Sequence, residues 1–87
     1  MAETKVKYGT ISARVMSEEE GMDPLEEVRA IRVLSKDYVL LIMDDYMPTI
    51  GEVHGDVVFL LKDGEKKYSG VDGFFKHQGN RFTLFIR

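Results

Sequence analysis

The sequence predicts an all-β fold: a small single-domain β-sandwich, spanning residues 1–87, of about six to nine short and mostly antiparallel strands. Short segments rich in β-branched, leucine and aromatic residues recur at close spacing, separated by glycine, proline or charged residues. A chain of 87 residues is the size of one domain. Hydrophobic residues make up 44% of it and are spread throughout, so a core can form without metals or disulfides.

The first predicted element is a strand near the N-terminus. Apolar residues alternate at Val6 and Tyr8, and the alternation resumes with opposite parity over residues 11–15. A β-bulge at Gly9–Thr10 would restore the parity and keep both halves on one core, because glycine is frequent at bulges. Two separate short strands explain the same pattern.

Residues 17–27 interrupt the pattern with charge, glycine and proline. The stretch that begins at the end of this segment, residues 24–33, fits either a helix or a strand. A short helix near residues 24–33 would have Asp23 as its N-cap and Pro24 at its first position. A strand is favoured instead over residues 28–34, because the apolar residues there are β-branched.

The next strand is predicted over Tyr38–Met43, a six-residue apolar run of the kind found in strands covered on both faces. Residues 44–51 are predicted to be a loop, because Pro48 cannot donate a hydrogen bond to a β-ladder. A short strand around Val53 is expected to follow before the turn at Gly55–Asp56.

Two hairpins are predicted in the last part of the chain. Asp63–Gly64 is a strong hairpin turn signal between strands over residues 57–62 and 66–71. A closing hairpin is expected to turn at Gln78–Gly79–Asn80 and to end in a strand over residues 81–87.

Composition excludes several classes of protein. The absence of cysteine excludes disulfide frameworks, thiolate metal sites and thiol nucleophiles. The start, Met1–Lys7, is charged and unlike a signal peptide, and no apolar run approaches the ~20 residues that span a bilayer. We therefore expect a cytoplasmic protein that meets a membrane only through a complex.

Charge argues against nucleic acid as a partner. The net charge is −3, and residues 18–27 hold six acidic residues without lysine or arginine. Proteins that neutralise phosphates need a basic stripe, and the nearest candidate in the sequence is the Lys66–Lys67 pair on a hairpin. This pair is interpreted as solvated surface charge.

Catalysis is not expected either. The acid–base candidates are Asp44, Asp45, Glu52, His54 and His77. Neighbouring aspartates on a strand point to opposite faces, and at the end of a strand they are ordinary turn residues. The two histidines lack the close pair spacing of common metal sites, so they are interpreted as surface residues, and no metal, cofactor or catalytic residue is predicted.

The end of the sequence resembles the N-terminal β-sandwich domain of the ATP synthase epsilon subunit. The family pattern is a glycine turn, an aromatic residue, a hydrophobic residue, a glycine corner, a bulky apolar residue and a turn into a hydrophobic-threonine-hydrophobic strand. The matching residues are Gly64, Tyr68, Val71, Asp72–Gly73–Phe74, Phe75, Asn80 and Phe82–Thr83–Leu84. Upstream, residues 47–59 match the loop and proline turn that enter the preceding strand in the family.

This resemblance implies docking and not catalysis. It implies the central-stalk gamma subunit and the membrane ring as partners. The chain departs from the family at residues 37–40, where a glutamate-glycine turn is replaced, and at Phe74, which replaces a glycine. The family's C-terminal helical pair, which brakes ATP hydrolysis, has no counterpart in these residues, so that activity is not carried over.

Two segments are the predicted partner-binding surface. Tyr46 and Met47 lie beside a proline in a loop, and exposed aromatic residues with methionine are typical of interface cores; alternatively, both pack into the sandwich as a corner plug. A second hypothesis is a free-standing β-sandwich interaction module, unrelated to ATP synthase, that self-associates through edge strands. The predicted binding residues are Asp37, Tyr38, Val39, Asp44, Asp45, Tyr46 and Met47.

Overall fold

A computed structural model describes residues 9–87, which form seven strands and no helix, so the all-β prediction is confirmed. The number of strands falls within the predicted range. The strands are β1 (Ile11–Ser17), β2 (Gly21–Val28), β3 (Ala30–Ser35), β4 (Tyr38–Ile42), β5 (Thr49–Leu61), β6 (Gly64–Gln78) and β7 (Arg81–Ile86).

The strands form one hydrogen-bonded sheet with the order β2-β1-β7-β6-β5-β3-β4. Every neighbouring pair is antiparallel except β1 and β7, which are parallel. The long β5–β6 hairpin joins two halves of this sheet. Residues 73–78 of β6 pair with β7, whereas residues 55–60 of β5 pair with β3.

A bulge bends the long hairpin between its two halves. Gly55 pairs with Val71 and Val57 with Tyr68, so β6 carries one extra residue at this point. Gly70 takes a φ of 65° there, a left-handed conformation that glycine adopts without steric cost. The sheet therefore folds over onto itself in a sandwich-like arrangement.

Both halves of the sheet contribute to one hydrophobic core. Phe59 of β5 meets Phe82 of β7 with ring centroids 5.7 Å apart, and Phe82 also stacks on Phe75 at 5.4 Å. Leucine, isoleucine and valine side chains surround these rings. The buried cluster comprises Ile11, Ala13, Val15, Val28, Ile31, Val33, Ile42, Val53, Val57, Phe59, Val71, Phe75, Phe82 and Leu84.

The helix alternative near residues 24–33 is wrong, because β2 and β3 occupy that region. Pro24 is accommodated because β2 is an edge strand, where a missing N–H costs no ladder hydrogen bond on the open side. Strand β2 begins at Gly21, within the charged segment that was not predicted to be a strand. Its residues face solvent along most of its length, so it can carry these charges.

Strand β2 carries a β-bulge near its C-terminal end. Ile11 pairs with Val28 and Ala13 with Leu25, which leaves one extra residue on β2, where Glu27 has a φ of 52°. The separate bulge predicted at Gly9–Thr10 depends on the alternation of Val6 and Tyr8, which lie outside the described residues, so it stays a prediction.

Strand β4 is not covered on both faces, contrary to the prediction. Among residues 9–87 it pairs only with β3, and it lies at the edge of the sheet that these residues form. Ile42 is buried, whereas Val39 and Leu41 are exposed. An unbroken apolar run does not distinguish a covered strand from an edge strand whose outer face is apolar, because that difference depends on the distant strands that pack on it.

The hairpin turns agree with the sequence prediction to within one residue. Gly79 and Asn80 connect β6 to β7 with φ values of 59° and 58°, as a type I′ turn requires. Between β5 and β6 the loop is Lys62–Asp63, and Gly64 is the first residue of β6.

Candidate docking surface

The structure places the two predicted binding segments at opposite ends of β4. Asp37 lies in the turn before the strand, and Asp44–Met47 follow it. At about 3.3 Å per residue, the five residues of β4 separate the two ends by roughly 17 Å. The strand itself is what links them into one surface.

Tyr38 belongs to the inner face and has a structural role. Its hydroxyl donates a hydrogen bond to the backbone carbonyl of Glu52, and its ring packs against the core. Burial raises the pKa of the Tyr38 phenol above its usual value, and the nearby Glu52 carboxylate raises it further. The hydroxyl therefore stays protonated and anchors β4 to β5.

Asp44 and Asp45 are held in place by other polar side chains. The Thr10 hydroxyl donates to Asp44 Oδ1, and Asn80 Nδ2 lies 3.2 Å from the same oxygen. The backbone N–H of Asp45 donates to Asn80 Oδ1 at 2.9 Å. Both aspartates lie in the turn after β4, as predicted, which the Tyr46 N–H closes on the Met43 carbonyl. The contacts with Asn80 fix this turn to the β6–β7 turn.

Tyr46 and Met47 have different environments, so the corner-plug alternative holds for one of them. Tyr46 packs against the core and makes an edge contact with His77, with ring centroids 6.4 Å apart. Met47 is 68% exposed. Of this pair, Met47 is available to a partner.

Val39, at 73%, is the more exposed of the two exposed apolar residues among the predicted binding residues. The register places it beside the half-buried Leu34 of β3, on the face of the sheet opposite the core. Leu41, which is 47% exposed, lies on the same face, and Met43 follows it just beyond the strand. We define the β4 patch as Leu34, Val39, Leu41 and Met43.

Ion pairs lie beside the β4 patch on the same outer face. Arg32, which pairs with Leu41 in the register, makes a salt bridge of 2.9 Å to Glu65. Lys67 approaches Asp56 at 3.4 Å. An apolar area bordered by polar groups is the anatomy of many protein–protein interfaces.

A second surface feature lies on the outer face of the other half of the sheet. Phe74 and Phe85 stack with ring centroids 4.8 Å apart. Beside them, Arg14, Lys76 and Arg81 line an open depression of about 450 Å³. Within residues 9–87, no salt bridge joins these three cations to a carboxylate.

The Lys66–Lys67 pair is not a free basic patch. Lys66 Nζ lies 2.5 Å from Asp23 Oδ2, and the Tyr68 hydroxyl donates to the same oxygen. These hydrogen bonds, the one from Lys66 first, lower the pKa of the Asp23 carboxyl. The contact connects edge strand β2 to β6.

The two histidines have opposite environments, and one of them contradicts the prediction that both are surface residues. His54 is partly exposed and lies 3.0 Å from Asp72 and 3.5 Å from Glu52. His77 is fully buried, because the inward positions of β6 continue from Phe75 to residue 77. Residues 9–87 contain no group of three or more acidic or histidine side chains that could hold a metal ion.

His77 makes the stability of the fold sensitive to acid. Neither ring nitrogen has a hydrogen-bond partner among the described residues, and burial lowers the pKa of His77. The unfolded chain binds a proton below a pH of about 6.5, whereas the folded chain does so only at lower pH. The free energy of unfolding should therefore fall by up to about 1.4 kcal/mol per pH unit as the pH drops below 6.5.

Urea unfolding of His77→Leu at pH 7.5 and 5.5 tests this expectation. The substitution should remove the difference in unfolding free energy between the two pH values, because leucine does not titrate. His54→Gln, which changes the exposed histidine, should retain the difference. Equal acid sensitivity of His77→Leu and the unsubstituted protein would contradict the assignment.

Of the β4 patch, sequence reasoning identified Val39 but missed Leu34, Leu41 and Met43; the exposed Met47, which it also identified, lies outside the patch. Strand geometry puts residues 39 and 41 on one face, but an unbroken apolar run does not show that this face is exposed. The cations of the second surface lie on three different strands, so only the strand register brings them together. No helix of residues 9–87 is long and apolar enough to cross a membrane.

Comparisons with protein-family models and with curated proteins find no match to this chain.

Proposed function

We propose that this domain is a non-catalytic docking module that binds a protein partner through the β4 patch. The observation that carries the proposal is the exposure of Val39, at 73%, beside Leu41 on an edge strand. Exposed apolar side chains that lie next to one another on a monomer are typical of interaction sites. Isolated exposed residues would need no such explanation.

The surroundings of the patch support docking with little rearrangement. Strand β4 is anchored at one end by the Tyr38 hydroxyl and at the other by the Asp44 contacts with Thr10 and Asn80. A surface held in one conformation loses little conformational entropy on binding. The ion pairs of Arg32 and Lys67 supply a polar rim.

The resemblance to the epsilon subunit gives the first partner to test. It implies the gamma subunit and the membrane ring of a rotary ATP synthase, with residues 37–39 and 44–47 nearest to them. Residues 37–39 include Val39 of the β4 patch, and residues 44–47 directly follow its Met43, which supports one surface for such a contact.

Binding to purified gamma subunit, measured by biolayer interferometry, tests the proposal. We expect Val39→Glu to weaken binding at least tenfold, since a carboxylate would be desolvated in an apolar contact. Ile50→Glu is the matched control: Ile50 is 72% exposed but lies on the other half of the sheet, so binding should be unchanged. Equal weakening by both variants, or no binding of the unsubstituted protein, would exclude gamma as the partner of this surface.

A further inference from the structure

The two edge strands of the sheet differ in their protection against pairing with another strand. Edge strand β2 carries Pro24, a bulge at Glu27, and the acidic residues Asp23 and Glu26. These are the features by which natural sheets prevent edge-to-edge association. Strand β4 has the sequence YVLLI over residues 38–42, with no proline, charge or bulge. Within the part of the chain that the structure describes, the β2 edge is therefore blocked and the β4 edge is open.

The hydrogen-bonding groups at the open edge can be assigned from the register. Ser35 and Tyr38 close the two-residue turn of the β3–β4 hairpin and form the first pair of its ladder. Alternation then directs the backbone groups of residues 38, 40 and 42 towards β3. The N–H and C=O groups of Val39 and Leu41 point to the open side, where no described strand pairs with them.

We propose that a second copy of this chain pairs with β4, antiparallel and around a two-fold axis at Leu40, to form one continuous sheet across both copies. This proposal rests on the proposed docking function, because it uses the β4 patch and names its occupant. Val39 of each copy would exchange backbone hydrogen bonds with Leu41 of the other. The two β4 patches would then meet on the same face of the joined sheet.

Charge favours a second copy in this register. With Leu40 on the axis, Lys36 at one end of the contact approaches Asp44 of the second copy, and the same pair recurs at the other end. A register centred on Leu41 would instead bring Asp37 towards Asp45 of the second copy, which is repulsive. The register at Leu40 also overlaps all five residues of the strand, from 38 to 42.

Sedimentation equilibrium of the full chain tests the association. A dimer is expected, and Val39→Lys should raise its dissociation constant at least tenfold, because lysine on an edge opposes strand pairing. Ile50→Lys, on an equally exposed site in the other half, should leave the constant unchanged. A protein that stays monomeric at about 100 μM, a concentration that populates even moderate complexes, would overturn the proposal.

Leu41→Pro provides a second variant that isolates the backbone contact. The Leu41 N–H points away from β3, so proline at this position removes a donor that the β3–β4 ladder does not use. The variant should keep the circular dichroism spectrum of the unsubstituted protein and lose the dimer. A folded Leu41→Pro variant that still dimerises with unchanged affinity would overturn pairing at this edge.

Disulfide trapping tests the register, because the chain contains no cysteine. Hydrogen-bonded antiparallel pairs have Cα atoms about 5.5 Å apart, within the range that a disulfide spans. Val39→Cys mixed with Leu41→Cys should therefore cross-link faster than either variant alone. Equal rates, or equally fast cross-linking of Ile50→Cys, would overturn the register.

These outcomes separate the second copy from other occupants of the edge. A monomer that binds gamma subunit through Val39 would overturn self-pairing and support the docking function. A dimer that is lost in Val39→Lys, together with absent gamma binding, would support self-pairing and exclude gamma. If the full chain stays monomeric but a variant lacking residues 1–8 dimerises, residues 1–8 occupy the β4 edge. That outcome would overturn the proposal for the full chain.

Discussion

Phe82→Ala is expected to lower the free energy of unfolding by about 3–5 kcal/mol, the usual range when a buried aromatic ring is removed from a core. Phe82 is fully buried and contacts Phe59, Phe75 and His77 with ring centroids 5.7, 5.4 and 6.2 Å away. These neighbours come from both halves of the folded sheet. Alanine would leave a cavity at their junction, and the surrounding strands cannot close it without changing their pairing.

Such a loss is large for a chain of this size. A stability of roughly 0.05–0.15 kcal/mol per residue gives about 4–13 kcal/mol for the whole domain, so the loss removes from about a quarter to all of it. Urea denaturation at pH 7.5 measures the effect. The matched control is Phe74→Ala, a neighbouring strand position that faces outward and is 41% exposed, where the loss should stay near 1 kcal/mol. Similar losses of unfolding free energy at both positions would contradict the placement of Phe82 in the core between the two halves of the sheet.

Local signals in the sequence predicted those parts of the fold that depend on neighbouring residues. The β6–β7 hairpin follows from the alternation of Phe82 and Leu84 on one face and from the Gly79–Asn80 turn, which needs residues that tolerate positive φ. The strand over residues 30–35 follows from its β-branched side chains. Each of these features is encoded within a few residues.

Features that depend on distant residues were missed. Gly55–Asp56 was predicted as a turn between short strands, but both residues lie within β5, because the pairing of β5 with β6 extends across the bulge. Strand β2 was missed because an edge strand can carry proline and acidic residues on its open side. His77 was interpreted as a surface residue because its spacing from His54 does not fit a metal site, but the burial pattern of β6 places it on the inward face with Phe75.

The candidate site divides in the same way. Val39 and Met47 were predicted as binding residues and are exposed, whereas Tyr38 and Tyr46 were predicted with them and pack inward. Exposure at β4 depends on its position at the edge of the sheet, which is set by the pairing of β3 with β5. No pattern within residues 38–42 carries that information.

Gly55→Ala should also be severely destabilising, by about 3 kcal/mol or more, because an added methyl group has no space. A Cβ atom at Gly55 would lie 2.0 Å from the backbone carbonyl oxygen of Leu34, far inside van der Waals contact. Backbone on a neighbouring strand cannot rotate away as a side chain can, so β3 would have to separate from β5. Leu34 belongs to the β4 patch, and its displacement would also disturb the edge that β4 presents.

Gly21→Ala separates this steric effect from the general cost of replacing glycine. Gly21 has a φ of 76°, and nothing lies within 4 Å of an added Cβ atom, so only backbone strain of about 1–2 kcal/mol is expected. Thermal and urea unfolding of both variants should therefore rank Gly55→Ala well below Gly21→Ala. The reverse order would show that β5 does not approach β3 closely at Gly55. It would also contradict the inference that a tightly packed β3–β5 pair holds the β4 edge in place.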